Sequence, residues 1–251
     1  MDLVSTPRNA RRRTAGAGLT LLAAAAFLAN AGCDSLLARA RAHRAETEVQ
    51  KIFENNPSYK KIAQYDPAVA DQMKAAVKDS AAKGESHDVA VGKARGVITG
   101  LVAKHVPRAS DEAVVGYVSV FMTELDQLAA AGPEVCYGAL FPNPAQPVNI
   151  AKHLDQPTQE ADLAALAEVV RTSSESPQQP ASEKQLGTVM VQVIQRMSAQ
   201  HGRDVELLDR LQDPAVDKKK ACTLVRSLYG NILELPKTTS GPVLRAMFSG
   251  Q

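Results

Sequence analysis

Between Leu186 and Met197 the apolar residues Leu186, Val189, Met190, Val193, Ile194 and Met197 recur three and four positions apart, the spacing of one helix face. The same period runs through every patterned stretch of the chain, and no segment alternates apolar and polar residues as a half-buried strand does. A chain written this way buries its apolar stripes by packing helix on helix. The expected fold is all-α, an irregular bundle of six or seven main helices.

The stop and start signals divide the chain. Residues 35–54 place Leu37, Ala40, Val49, Ile52 and Phe53 near one stripe among Arg39, Arg41 and Arg44. Asp66-Pro67 reads as an N-cap followed by Pro at the first helical position, and Gly84 as a stop. Residues 87–105 carry Ala94, Val97, Ile98, Leu101 and Val102 at helical spacing. Ser110 opens a helix with Asp111 and Glu112 in its first turn, where the helix dipole favours acids. Five prolines between 133 and 157 leave room only for short turns near 134–141 and 148–154.

A helix over about 158–172 leads into TSSESPQQPAS, residues 172–182, read as an exposed loop or a boundary between sub-domains. Ser182 with Gln185 has the capping-box spacing. A short helix at 204–212, a helix from Asp213-Pro214 to about Leu235, and a last short one at 242–249 complete the pattern. The organisation expected is an export segment at 1–32, a tether and first helix at 33–56, and a helical domain at 57–251.

The N-terminus reads as an address. Arg8, Arg11, Arg12 and Arg13 precede nineteen uncharged residues, Thr14 to Gly32, rich in Ala and Leu. A basic end, an apolar stretch and small residues before a processing point describe a secretory signal peptide. It ends Ala29-Asn30-Ala31-Gly32-Cys33, and Ala31, Gly32 and Cys33 resemble the lipobox of bacterial lipoproteins. Asn30 departs from that pattern, which usually has an aliphatic residue there. The resemblance covers only this segment. It implies that Cys33 receives diacylglycerol and becomes the new N-terminus, and that Asp34 favours the periplasmic face of the inner membrane. An uncleaved anchor and ordinary secretion are the alternatives, since the run approaches the ~20 residues of a membrane span.

With Cys33 lipidated, Cys136 and Cys222 remain in an oxidising compartment, each the other's one partner within the chain. Two separately buried thiols are the alternative. A bridge would remove about 4.5 kcal/mol of unfolded-state freedom by the chain-entropy argument.

Templates for chemistry fail one after another. His43, His87, His105, His153 and His201 form no i, i+4 pair, and no zinc, EF-hand, Gly-x-Ser-x-Gly or Cys-x-x-Cys pattern occurs. No metal and no cofactor is expected. His105, on an apolar stripe, reads as a satisfied core histidine. Glu124/Asp126 and Asp204/Glu206 stand at i, i+2 and point to different helix faces. Gly92, Gly96 and Gly100 make a smooth row suited to close helix packing in the core, or to a surface for self-association or ligand approach. Tyr137, Leu140 and Phe141 beside Cys136 read as a core plug or as the wall of a groove for a partner helix or apolar ligand. Lys218, Lys219 and Lys220 read as a solvated face or a contact for anionic headgroups.

Charge closes the reading. The chain is formally +2, but four Arg and one Asp lie in the first 32 residues, so the remainder is −1. Nothing there calls for nucleic acid. The function expected is that of a lipid-anchored envelope protein, binding or scaffolding at a membrane surface rather than an enzyme. Its partners would be the membrane and an envelope protein. The alternatives are an envelope hydrolase without a local motif and a carrier of a small apolar ligand.

Overall fold

The structure, a computed structural model, describes residues 35–143, 148–213 and 215–249. Cys33, Asp34 and the export segment lie outside the described residues. All regular structure among the described residues is helical, with no strand. Among the described residues there are ten α-helices rather than six or seven. They are α1 Ser35–Asn55, α2 Pro57–Tyr65, α3 Ala68–Lys83, α4 His87–His105 and α5 Asp111–Ala131. The chain continues with α6 Pro133–Leu140, α7 Gln156–Glu175, α8 Glu183–His201, α9 Lys218–Leu233 and α10 Lys237–Ser249.

The surplus comes from short helices. Asn56 Oδ1 accepts hydrogen bonds from the Ser58 and Tyr59 amides, Pro57 takes the first helical position, and α2 forms there. Asp66 is then the cap at the end of α2, not the side-chain cap of α3, because its carboxylate is taken up by tertiary partners. Residues Gly202–Arg210 wind as a 3-10 helix rather than an α-helix. Asp213 Oδ1 accepts from the Ala215 amide, and the true cap of α9 is Asp217, which accepts from Lys220 N. The last helix begins at Lys237 and carries Pro242 inside it.

Where capping signals were strong they hold. Ser110 and Ser182 each accept the amide three residues on, and Ser182 with Gln185 completes the capping box in both directions; the structure adds Ser86, which caps α4 in the same way.

Three apolar clusters make the core. The first gathers Val49, Phe53, Ile62, Met73 and Val77 of α1–α3 against Leu101 of α4 and Leu166 and Val170 of α7. The second joins Val114 and Val118 of α5 to Val193, Met197, Leu224, Ile232 and Leu244 from α8–α10. The third packs Leu125 and Leu128 around Cys136 and Cys222. Helix α7 contributes Val170 to the first cluster and Val169 to the second, so it runs between them.

The sequence 172–182 is not all loop. Helix α7 continues to Glu175, with Thr172 and Ser173 buried. The segment after it is held on both sides: Gln178 N donates to Arg108 O, and Ala181 N donates to Pro242 O. Leu37 and Ala40, expected on the buried stripe of the first helix, are exposed, because α1 packs only from Ala42 onward.

Candidate functional site

Two polar clusters lie inside this helical framework, both built by residues distant in sequence. The first is a hydrogen-bonded chain. Ser173 of α7 places Oγ 2.6 Å from Nδ1 of His105, at the end of α4, and His105 Nε2 lies 3.0 Å from Asp66 Oδ2. All three residues are buried. Lys104 Nζ, reaching in from solvent, is 2.8 Å from the same Asp66 oxygen.

Burial holds the His105 pKa below its ordinary value, against the opposing pull of Asp66. Burial also works against the charge on Asp66, but hydrogen bonds from His105 and Lys104 outweigh it, and the carboxyl stays below its usual range. A neutral imidazole beside a carboxylate donates from Nε2 to Asp66 and accepts at Nδ1 from the Ser173 hydroxyl. That is the proton order of a Ser-His-Asp triad, with the two ring nitrogens exchanged relative to serine hydrolases. The hydroxyl has a second acceptor in the Val170 carbonyl, 2.9 Å away in its own helix.

The second cluster combines Arg95 of α4, Tyr117 and Glu124 of α5, and Asp162 of α7. Glu124 is buried and Asp162 half-buried, and among the described residues neither carboxyl has a hydrogen-bonded partner. Arg95 donates from Nη2 to the Ala139 carbonyl at 2.9 Å. Burial, with the Asp162 charge adding to it and Arg95 opposing, raises the Glu124 pKa to about 8. Burial raises Asp162 to about 6. Tyr117 is pushed up by burial and then by the two carboxyls, and Tyr59 by burial and Asp162. Burial thus pushes both carboxyls upward, and each holds a proton more readily than an exposed carboxyl does.

Glu124 and Asp126 face different sides of α5, as their i, i+2 spacing requires: Glu124 is buried, while Asp126 is exposed and binds Arg226. The overlooked signal is spacing. Glu124 falls three residues after Phe121 and four before Leu128, on the buried stripe of α5, where a carboxylate costs free energy unless a tertiary partner meets it.

The other expected residues distribute as follows. Cys136 and Cys222 are bonded as a disulfide with Cα atoms 6.1 Å apart. Tyr137 stacks on Phe141 at 5.0 Å between ring centroids, donates to Leu211 O at 2.9 Å, and has Lys218 Nζ 5.8 Å from its ring. Leu140 and Phe141 are half-buried against the third core cluster, so this segment packs on its own domain. Gly92, Gly96 and Gly100 are exposed, and a Cβ on any of them would meet nothing within 4 Å. Among the described residues no helix packs closely on this row; the core side of α4 carries Ala90 and Leu101.

Lys218 pairs with Glu134 and Lys220 with Asp204, so two members of the basic run are engaged by acids of the same domain. Among the described residues no group of three or more His, Cys, Asp or Glu is placed to hold a metal ion. No helix among them is long and apolar enough to cross a membrane.

Compared with known protein families, with curated proteins and with solved structures, the chain finds no match in any of the three.

Proposed function

We propose that the protein is a lipid-anchored, all-helical component of a bacterial cell envelope that binds or scaffolds at a membrane surface. The observation that carries this reading is the Cys136–Cys222 disulfide, at a sequence separation of 86. Disulfides persist in exported proteins and are rare in a reducing cytosol. It agrees with the segment ending at Cys33, whose basic end, uncharged run and small residues describe an export signal. Tethering through Cys33 would hold the domain at one surface and raise its effective concentration toward an envelope partner there. Asp34 favours the periplasmic face of the inner membrane. Labelled palmitate should enter the wild-type chain in cells and fail to enter Cys33→Ser; equal labelling of the variant would sink the anchor.

A second reading, an envelope hydrolase, is favoured by the proton order of Asp66, His105 and Ser173. It ranks behind the first because Ser173 is buried and its hydroxyl has the Val170 carbonyl as a competing acceptor. A fluorophosphonate probe that labels Ser173, and stops doing so in His105→Ala, would support a nucleophilic serine. Absence of labelling would remove this route.

A further inference from the structure

Leu37, Arg39 and Ala40 near the start of α1 stand outside the packed core. Burial begins at Ala42 and Ala45 and continues through Val49, Ile52 and Phe53, whereas Leu37 is 50% exposed and Arg39, Ala40 and Arg44 are also exposed. Leu37, Ala40 and Arg44 stand at i, i+3 and i+7, which aligns them along one stripe. Arg39 projects from the other flank of the same tip.

The charge here is one-sided. From Ser35 to Ala45 there is no acid, and Asp34 is the only one between Cys33 and Glu46. Glu46 itself is engaged by Lys78 at 3.0 Å. Among the described residues Arg39 and Arg44 have no ion-pair partner.

We infer that the N-terminal tip of α1, through Leu37, Arg39 and Arg44, is a docking surface for the anionic phospholipid headgroups of the bilayer that holds the Cys33 lipid. The inference rests on the anchor reading, because the anchor brings this tip to the bilayer. Ser35 is two residues from Cys33, a reach of about 7 Å even when fully extended. Arg44 lies nine residues into the helix, about 14 Å along its axis. Standing upright, α1 would hold Arg44 beyond a Debye length of about 8 Å from the lipid plane. Lying along the surface, it brings both arginines to headgroup depth and turns the exposed Leu37 into the interface, as interfacial amphipathic helices do. Each arginine near an anionic surface favours binding about fivefold. The pair therefore sets the orientation of the tethered domain rather than its attachment.

The test uses the full lipidated protein reconstituted into vesicles of phosphatidylcholine alone or with phosphatidylglycerol added. Mass spectrometry of the N-terminal peptide first records whether Cys33 carries diacylglycerol. Amide hydrogen exchange is then followed across residues 36–45. Slower exchange on the anionic vesicles by fivefold or more, lost in Arg39→Gln/Arg44→Gln and in high salt with α9 unaffected, is expected. Equal exchange on both lipids in a lipidated chain overturns the docking surface while leaving the anchor intact. If Cys33 proves unmodified, the anchor fails. Flotation then decides the surface: salt-sensitive flotation with anionic vesicles alone supports it, and no preference overturns it.

Discussion

Arg245 Nη1 lies 2.7 Å from Asp111 Oδ1, joining the last helix to the first turn of α5 across 134 residues of sequence. The guanidinium is almost fully buried and also donates to the carbonyls of Ala109 and Gln179. One side chain thus closes α10 over both the α4–α5 junction and the loop after α7. Arg245→Ala leaves two carbonyls and a carboxylate without their donor. A loss of about 2–4 kcal/mol is expected, below the full cost of breaking a buried pair because Asp111 keeps some solvent. Urea unfolding of the variant measures it, and a change under 1 kcal/mol would refute the role.

The cluster of Glu124 and Asp162 should make the protein less stable as pH rises. Both folded-state pKa values stand above those of exposed carboxyls, so the folded state holds protons that the unfolded chain releases. Stability from this source is complete at acid pH and lost on approach to about pH 8. Glu124→Gln keeps the neutral form at all pH values. It should therefore gain stability relative to wild type between pH 5 and pH 8, by at least 1 kcal/mol given about 1.4 kcal/mol per pKa unit. Parallel stability profiles for the two proteins would contradict this.

His105 and Asp66 act in the opposite direction. Both folded-state values are held below their ordinary ones, so the unfolded chain takes up protons more readily. The stability they contribute is present above the unfolded histidine pKa of about 6.5. It declines as pH falls below that, and further through the carboxylate range. His105→Gln should flatten the first part of the decline, between about pH 6.5 and the lowered folded value. Thermal unfolding of both proteins from pH 5 to pH 7.5 reads the difference.

The glycine row on α4 offers a gain. Gly92, Gly96 and Gly100 are helical, exposed and free of neighbours within 4 Å. Replacing each with Ala should stabilise by about 0.5–1 kcal/mol, the helix-propensity difference. Destabilisation together with a change in sedimentation would instead place the row against a second copy.

Reduction of Cys136–Cys222, or Cys136→Ser with Cys222→Ser, should cost about 2–5 kcal/mol. Denaturant midpoints with and without a thiol reductant measure it. Two alkylatable thiols in the protein isolated from cells would mean that the bridge does not form.

The helices were legible because their signals are local. Ser110 and Ser182 announce their caps within three residues, and the 3.6-residue period needs no knowledge of what it packs against. The disulfide was legible from count, with an oxidising compartment as the expectation, since only two cysteines remain after Cys33. The misreadings share a cause. Asp66, Asp213 and Ser173 are residue types that serve caps, turns or loops equally well, and distant partners decided their use. Asp66 was taken by His105 and Lys104, and Ser173 was drawn inside α7 by His105.

The sequence by itself determined that the chain is all-α, where most helices start, and which cysteines could join. It also marked His105 as a histidine destined for the interior. Tertiary structure alone decided that Glu124 is buried within electrostatic reach of Asp162 and Arg95, that the glycine row faces outward, and that Leu37, Arg39 and Ala40 of α1 are exposed. Periodicity records which residues share a helix face, but every helix has more than one face that could be buried. Which one is covered depends on the neighbouring helices, and a carboxylate gains its partners only when those helices arrive.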